Sequence, residues 1–194
     1  MNFLKKTYNW TLEKAQHKNA KWYLSLISFA ESSFFPIPPD ILLIPMALAS
    51  KAKALFYAFI CTLFSVLGGI LGYAIGYFFF NSVGIYILEL YHLENSFNIF
   101  EDYYKEFGIL IVLGAGITPF PYKFITIASG VFGLNIFLFI IVSIIGRGLR
   151  FYLIAILLYF FGEKIKLIID KYFNILTIVF FILLVGSVFI IKFL

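Results

Sequence analysis

Two long apolar stretches of this chain are each broken by closely spaced prolines, Pro36-Ile-Pro38-Pro39 in the first and Pro119-Phe-Pro121 in the second. A proline inside a helix removes a backbone donor and clashes with the preceding turn, so neither stretch can form one continuous helix. In a bilayer this is a severe restriction. Backbone left unpaired in hydrocarbon is prohibitive unless protein or a water-lined cavity surrounds it. Composition places the stretches there: of 194 residues, 62% are hydrophobic and 13% charged, against about 45–50% and roughly 25% in soluble domains. A domain of this length has too little interior to hide so much apolar surface from water. The expectation is an all-α polytopic integral membrane protein. A soluble enzyme, a nucleic-acid binder and a disordered chain are excluded.

The chain divides accordingly. Residues 1–22 interleave Phe3, Tyr8, Trp10 and Trp22 with Lys5, Lys6, Lys14, Lys18 and Lys21, the pattern of an amphipathic helix lying on the cytoplasmic surface. Charge recurs at Glu13, Lys14 and Lys18 before any apolar core develops, which argues against a cleaved signal peptide. The sequon Asn9-Trp10-Thr11 would go unused on that side. Residues 23–165 read as one transmembrane domain: a first re-entrant hairpin over 23–50, a spanning helix over 54–80, a polar external connection over 81–107, a second hairpin over 108–130 and a spanning helix over 131–161. A C-terminal spanning helix occupies 173–191. Gly68, Gly72 and Gly76 form a stripe that permits close helix approach, within the chain or in a homo-oligomer.

The two hairpins look like copies. A shift of 83 positions lays Pro36-Ile-Pro38-Pro39-Asp40 over Pro119-Phe-Pro121-Tyr122-Lys123. A shift four residues shorter lays Gly68-Gly69 over Arg147-Gly148. One full crossing separates the copies, so they are inverted, and inverted repeats with broken helices are the architecture of secondary transporters. With the N-terminus inside, this arrangement puts Lys51, Lys53 and the loop over 163–171 in the cytoplasm. The acidic connection, with Glu89, Glu94, Glu101, Asp102 and Glu106 against Lys105, then lies outside, as the positive-inside rule prefers.

Five ionisable residues fall where apolar side chains belong: Glu31, Asp40, Lys123, Arg147 and Arg150. Each would cost roughly 2.5–3.5 kcal/mol unpaired at a helix centre. They must therefore pair, meet water or bind something. Arg147 and Arg150 share a helix face and can reach Glu31 and Asp40 from it. Three cations against two acids leave a surplus that suits an anionic headgroup, with arginine well shaped for phosphate. The carboxylates could carry protons as their surroundings change. A purely structural ion network is the competing reading. No metal site or cofactor is expected, because Cys61 is alone and His17 and His92 fall on opposite sides. No nucleophilic triad, GxSxG turn, P-loop or HExxH motif is present.

The segment Glu31-Ser-Ser-Phe-Phe-Pro36-Ile-Pro38-Pro39-Asp40 resembles the first hairpin motif of the DedA family. Pro119-Phe-Pro121-Tyr-Lys123-Phe-Ile-Thr-Ile-Ala128-Ser-Gly130 is similar to its second motif. Gly146-Arg147-Gly148-Leu-Arg150-Phe-Tyr resembles the YqaA-like subgroup. The likeness covers about residues 22–165, the VTT (SNARE-associated) domain shared with eukaryotic lipid scramblases. It implies two re-entrant hairpins and lipid movement between leaflets of a bacterial plasma membrane, with proton-dependent handling of polyprenyl phosphate or phospholipid. It also implies that Glu31 and Asp40 stand where the family has its essential acids. The family's second motif carries Arg three residues before its first Pro and three after. Here those positions are Gly116 and Tyr122, which shifts the basic role to Lys123, Arg147 and Arg150. The expected function is thus translocation of an anionic lipid, with Arg147, Arg150 and Lys123 holding phosphate and Glu31 and Asp40 carrying protons. A proton-coupled transporter of a small ion or solute and a non-transporting assembly protein are the alternatives.

Overall fold

The helices stop at the closely spaced prolines, whereas Pro45, also expected to break the first stretch, lies inside a helix that continues past it. The computed structural model describes residues 19–34, 37–80, 82, 86, 90, 94–118, 120–162 and 164, and among these residues the secondary structure is helical, with turns between. Helix α1 (Ala20–Ser33) leads across the first break to α2 (Asp40–Ala49). One turn of 3-10 helix, Lys51–Lys53, joins α2 to the long α3 (Ala54–Phe79). Helix α4 (Glu94–Ile117) ends at the second break and α5 (Tyr122–Val131) follows it. A turn through Gly133, with φ of 63°, a conformation glycine adopts without strain, delivers the chain to α6 (Ile136–Gly162). Pro36, Pro119, most of the expected amphipathic segment 1–22 and the expected helix 173–191 lie outside the described residues.

Local chemistry explains the boundaries. Pro39 and Pro121 stand immediately before α2 and α5, where the N–H that proline lacks has no intrahelical acceptor to lose. Asp40 opens α2 with a negative charge at the positive end of the helix dipole. Asn135 caps α6: its Oδ1 accepts the N–H groups of Phe137 at 3.0 Å and Leu138 at 3.2 Å. Helix α4 runs without interruption across residue 107, where the expected polar connection was to give way to the hairpin. Helix propagation depends on backbone bonds and not on hydropathy, and the polar half carries a supporting Glu101–Lys105 ion pair of 2.8 Å at i,i+4 spacing.

Length and hydropathy together divide the helices, since the 24 residues of α4 are as long as a spanning helix but include Glu101, Asp102, Lys105 and Glu106. With 14 residues in α1 and 10 each in α2 and α5, these helices reach roughly 21 and 15 Å, short of the ~30 Å hydrocarbon core. Two helices, Lys51–Phe79 and Ile136–Gly162, are long and apolar enough to cross a bilayer. Only 50% and 33% of their most apolar stretches are buried in the protein. Phe56, Phe59 and Leu63 on α3, and Phe137, Ile141 and Leu153 on α6, point outward. A core helix of a soluble domain would be covered; these outward faces suit lipid.

The repeat extends beyond the prolines. Helices α2 and α5 begin at residues 40 and 122, and α3 and α6 at 54 and 136, 82 apart in both cases. Helices α3 and α6 end at 79 and 162, 83 apart. Offsets of 82 and 83 leave no net four-residue shortening of α6 relative to α3.

The core forms around α3. Its glycine stripe is an internal contact: Gly68 lies against the Phe29 carbonyl of α1, Gly72 against Ser32 and Thr126, and Gly76 against the Ile127 carbonyl of α5. Gly130 of α5 returns the contact on the Tyr73 carbonyl. A Cβ at Gly68 or Gly130 would overlap backbone oxygen, which no rotamer change can relieve. By contrast, Gly114 has open space around it. Gly68→Val and Gly130→Val should each destabilise by about 1–3 kcal/mol or more, read as a fall of several degrees in thermal unfolding of the detergent-solubilised protein. Gly114→Ala should leave the midpoint unchanged or raise it.

Candidate functional site

The C-terminal end of α1 is polar on the side that meets α3. Ser25, Ser28 and Ser32 recur at helical spacing along it, all buried, with Glu31 beside them. Across from them α3 presents Thr62 and Ser65. The third wall is α6, held close to α4 by a glycine pair: a Cβ on Gly116 would come within 3.1 Å of the Gly146 Cα. That approach positions the next residues of α6, Arg147 and Arg150, between the two breaks.

Arg147 is locked in place. Its Nη2 donates to Glu31 Oε2 at 2.5 Å and its Nε to Ser65 Oγ at 2.6 Å. Ser65 Oγ shares a 2.6 Å hydrogen bond with Ser32 Oγ, and Ser32 Oγ donates to Glu31 Oε2 at 3.1 Å, closing a ring of polar contacts. The guanidinium carbon lies 4.9 Å from the Tyr122 ring centroid and 4.7 Å from that of Phe151, within cation–π range. Tyr122 is itself fixed by a 2.6 Å hydrogen bond between its hydroxyl and Ser143. Side-chain exposure is 1% for Arg147 and 11% for Glu31.

Arg150 is held more openly and does something different. Its Nη2 pairs with Asp40 Oδ2 at the start of α2, and its Nη1 donates to the Thr118 carbonyl at 2.5 Å. Thr118 directly follows α4, so this carbonyl is one that the helix end leaves without an intrahelical donor. One guanidinium thus binds both breaks. A second link runs alongside it: Thr126 Oγ1 of α5 donates to the Ser32 carbonyl of α1 at 2.9 Å. Exposure is 13% for Arg150 and 18% for Asp40. Asp40 Oδ1 is buried and has no hydrogen-bond partner among the described residues.

Of the five expected charges, four are brought together as two pairs, Arg147 with Glu31 and Arg150 with Asp40. Lys123 is not drawn in. It is half-buried on the first turn of α5, its Nζ 5.4 Å from the Phe124 ring centroid. Among the described residues it has no carboxylate at ion-pair distance. Likewise, no group of three or more His, Cys, Asp or Glu among them could hold a metal ion. The sequence reading passed over Ser32, Ser65, Thr126 and Ser143, whose hydroxyls complete the site. The 25, 28, 32 serine spacing was the one available signal.

The chain is 38% identical over 157 residues to an uncharacterized protein of Haemophilus influenzae, covering 81% of each. It is 35% identical over 157 residues to an uncharacterized protein of Histophilus somni, covering 81% of this chain and 82% of that one. The chain belongs to their family. No family model and no solved structure matches it.

For this member of the family the buried pair makes a quantitative prediction. Removing one partner strands the other charge, so Glu31→Gln and Arg147→Met should each cost about 3–5 kcal/mol in denaturant unfolding. The double variant should recover a large part of that loss, and a purely additive double-mutant cycle would show that the pair is not coupled.

Proposed function

We propose that the protein is a membrane transporter of the DedA type that moves an anionic lipid, a phospholipid or polyprenyl phosphate, between leaflets with proton coupling. The observation that carries this reading is Arg150: a guanidinium on an apolar helix, bound to a carboxylate and a helix-end carbonyl where two broken helices meet. Ionisable groups held at such a place are functional by default, and broken helices at a repeat interface are where transporters keep their sites. Arginine offers paired donors to phosphate. Lys123, on the α5 side of the second break, supplies a further cation.

The topology proposed is N-terminus in the cytoplasm of a bacterial plasma membrane, with α1–α2 and α4–α5 as re-entrant hairpins. The C-terminal end of α6 supports it, since Gly162 lies beside Leu48 near the end of α2 and Lys51 of the α2–α3 connection. Lys51, Lys53 and Lys164 therefore share one end, and Glu101, Asp102 and Glu106 lie on the remote polar half of α4. Such asymmetry fits the positive-inside rule.

A second reading, a structural ion network, is favoured by the burial of Arg147. The two readings divide naturally between the pairs. Arg147–Glu31 pins α6 to α1, and Arg150–Asp40 with Lys123 does the transport work.

The test uses the full chain in phosphatidylcholine vesicles carrying a short-chain fluorescent phosphatidylglycerol, with leaflet exchange followed by albumin extraction. Exchange should exceed that of protein-free vesicles. A lost charge-assisted bond is worth about 1.5–3 kcal/mol, so Arg150→Ala should slow exchange by about tenfold to a hundredfold. Lys123→Ala should slow it less. Exchange no faster than in protein-free vesicles would overturn the lipid reading, and proton-linked uptake of a small solute in the same vesicles would replace it.

A further inference from the structure

The two ion pairs differ in one atom. Glu31 Oε2 is bonded by Arg147 and Ser32, inside a ring that also fixes Ser65. Asp40 likewise pairs through one oxygen, Oδ2, but its Oδ1 is buried and has no hydrogen-bond donor among the described residues. A buried carboxylate oxygen without a donor carries its full desolvation penalty. That penalty disappears when the oxygen binds a proton. The paired oxygen of Glu31 accepts two hydrogen bonds inside a closed ring, whereas Asp40 carries a buried oxygen that accepts none among the described residues.

We infer that Asp40 and a phosphate anion compete for Arg150, so that the anion enters only as Asp40 Oδ1 takes up a proton. The inference rests on the transport reading above and assigns its proton to one residue. The exchange balances. Before it, Asp40 carboxylate is paired with Arg150. Afterwards the proton, drawn from water, sits on Oδ1, Nη2 has released Oδ2, and a phosphate oxygen has taken its place on Nη2. One proton enters with one negative charge, so the apolar surroundings face no net charge at either stage. Arg150 Nη1 keeps its bond to the Thr118 carbonyl throughout, which leaves the guanidinium aimed while its partner changes.

The other charged and titratable side chains of the elements that meet here do not offer this exchange. Arg147 of α6 and Glu31 of α1 are bound to each other. Tyr122 of α5 is hydrogen-bonded to Ser143, and Cys61 of α3 is buried in the apolar cluster. Arginine, tyrosine and cysteine all lose their protons well above the carboxylate range. Lys123 of α5 can add attraction for the anion but has no proton to accept in its charged form. The site takes the phosphate group itself, whether on a lipid headgroup or free.

The experiment uses the detergent-solubilised full chain and dimethyl phosphate, a monoanion that does not itself titrate near neutral pH. Binding is measured by calorimetry in weak buffer with a pH indicator. Wild type should take up about one proton per probe bound, and its affinity should rise by up to about tenfold per unit fall in pH. Asp40→Asn, an uncharged mimic of the protonated acid, should bind the probe with no proton uptake and no pH dependence. Lys123→Gln should weaken binding without altering the proton count. Infrared difference spectra of the wild type should gain a protonated-carboxyl band when the probe binds, a readout that needs no variant. Absence of binding, absence of uptake in wild type, uptake persisting in Asp40→Asn, or no carboxyl band, would each overturn the inference. Displacement of the probe by phosphatidylglycerol supports the headgroup as occupant. Proton uptake without displacement would keep the exchange and overturn the lipid reading.

Discussion

One guanidinium holds the two interruptions of this fold together. Arg150 binds Asp40, the first residue after one break, and the Thr118 carbonyl, the first after the end of the helix before the other. A broken helix in an apolar setting has carbonyls at one end and N–H groups at the other without partners. The prolines create that deficit; Arg150 reduces it at the Thr118 carbonyl and ties in the other break through the Asp40 side chain. Thr126 does the same on a smaller scale, covering the Ser32 carbonyl at the end of α1. The donors that complete the first hairpin thus come from the second half of the chain, while the Thr118 carbonyl is met from within its own half.

This dependence accounts for the close packing. A guanidinium reaches only a few ångströms, so α6 must run beside α4, and α1 and α5 beside α3. The glycine contacts at 68, 72, 76, 116, 130 and 146 make those approaches possible. Charge is treated in the same spirit. Each arginine faces one acid, so two pairs can sit among apolar helices without a net charge. What differs is how completely each is enclosed. Arg147 has rings on its guanidinium and a serine on its Nε, whereas Asp40 keeps one oxygen unused. The first arrangement resists change and the second admits it.

Much of the fold could be read from residue order. Prolines at 38, 39 and 121 announce the breaks because their missing donors act locally, and the period-four glycines announce a tight contact because small size is itself the signal. The partner of that stripe was not legible, since a glycine carries no mark of what lies against it. The same limit applied to the charges. Three-residue spacing put Arg147 and Arg150 on one face, but their pairing with Glu31 and Asp40 in that order depends on the tertiary placement of α1 and α2. Lys123 looked like a member of the cluster because it falls in an apolar stretch beside the second break, yet a shared apolar setting does not bring a side chain to a common partner. Tyr122 was visible only as a departure from a family pattern, and it turns out to supply one ring against Arg147. Serine and threonine hydroxyls were the hardest to see, because inside apolar helices they occur often and mostly bond their own backbone.

The central claim is that Arg150 joins the two breaks. Its most direct test is the distance between them, measured by paired spin labels at Ile37 and Phe120 in a Cys61→Ser background in bilayers. The account predicts a single narrow, short distance in the parent and a broad, longer distribution in Arg150→Met. An unchanged distribution in Arg150→Met would mean that the breaks are held by something else.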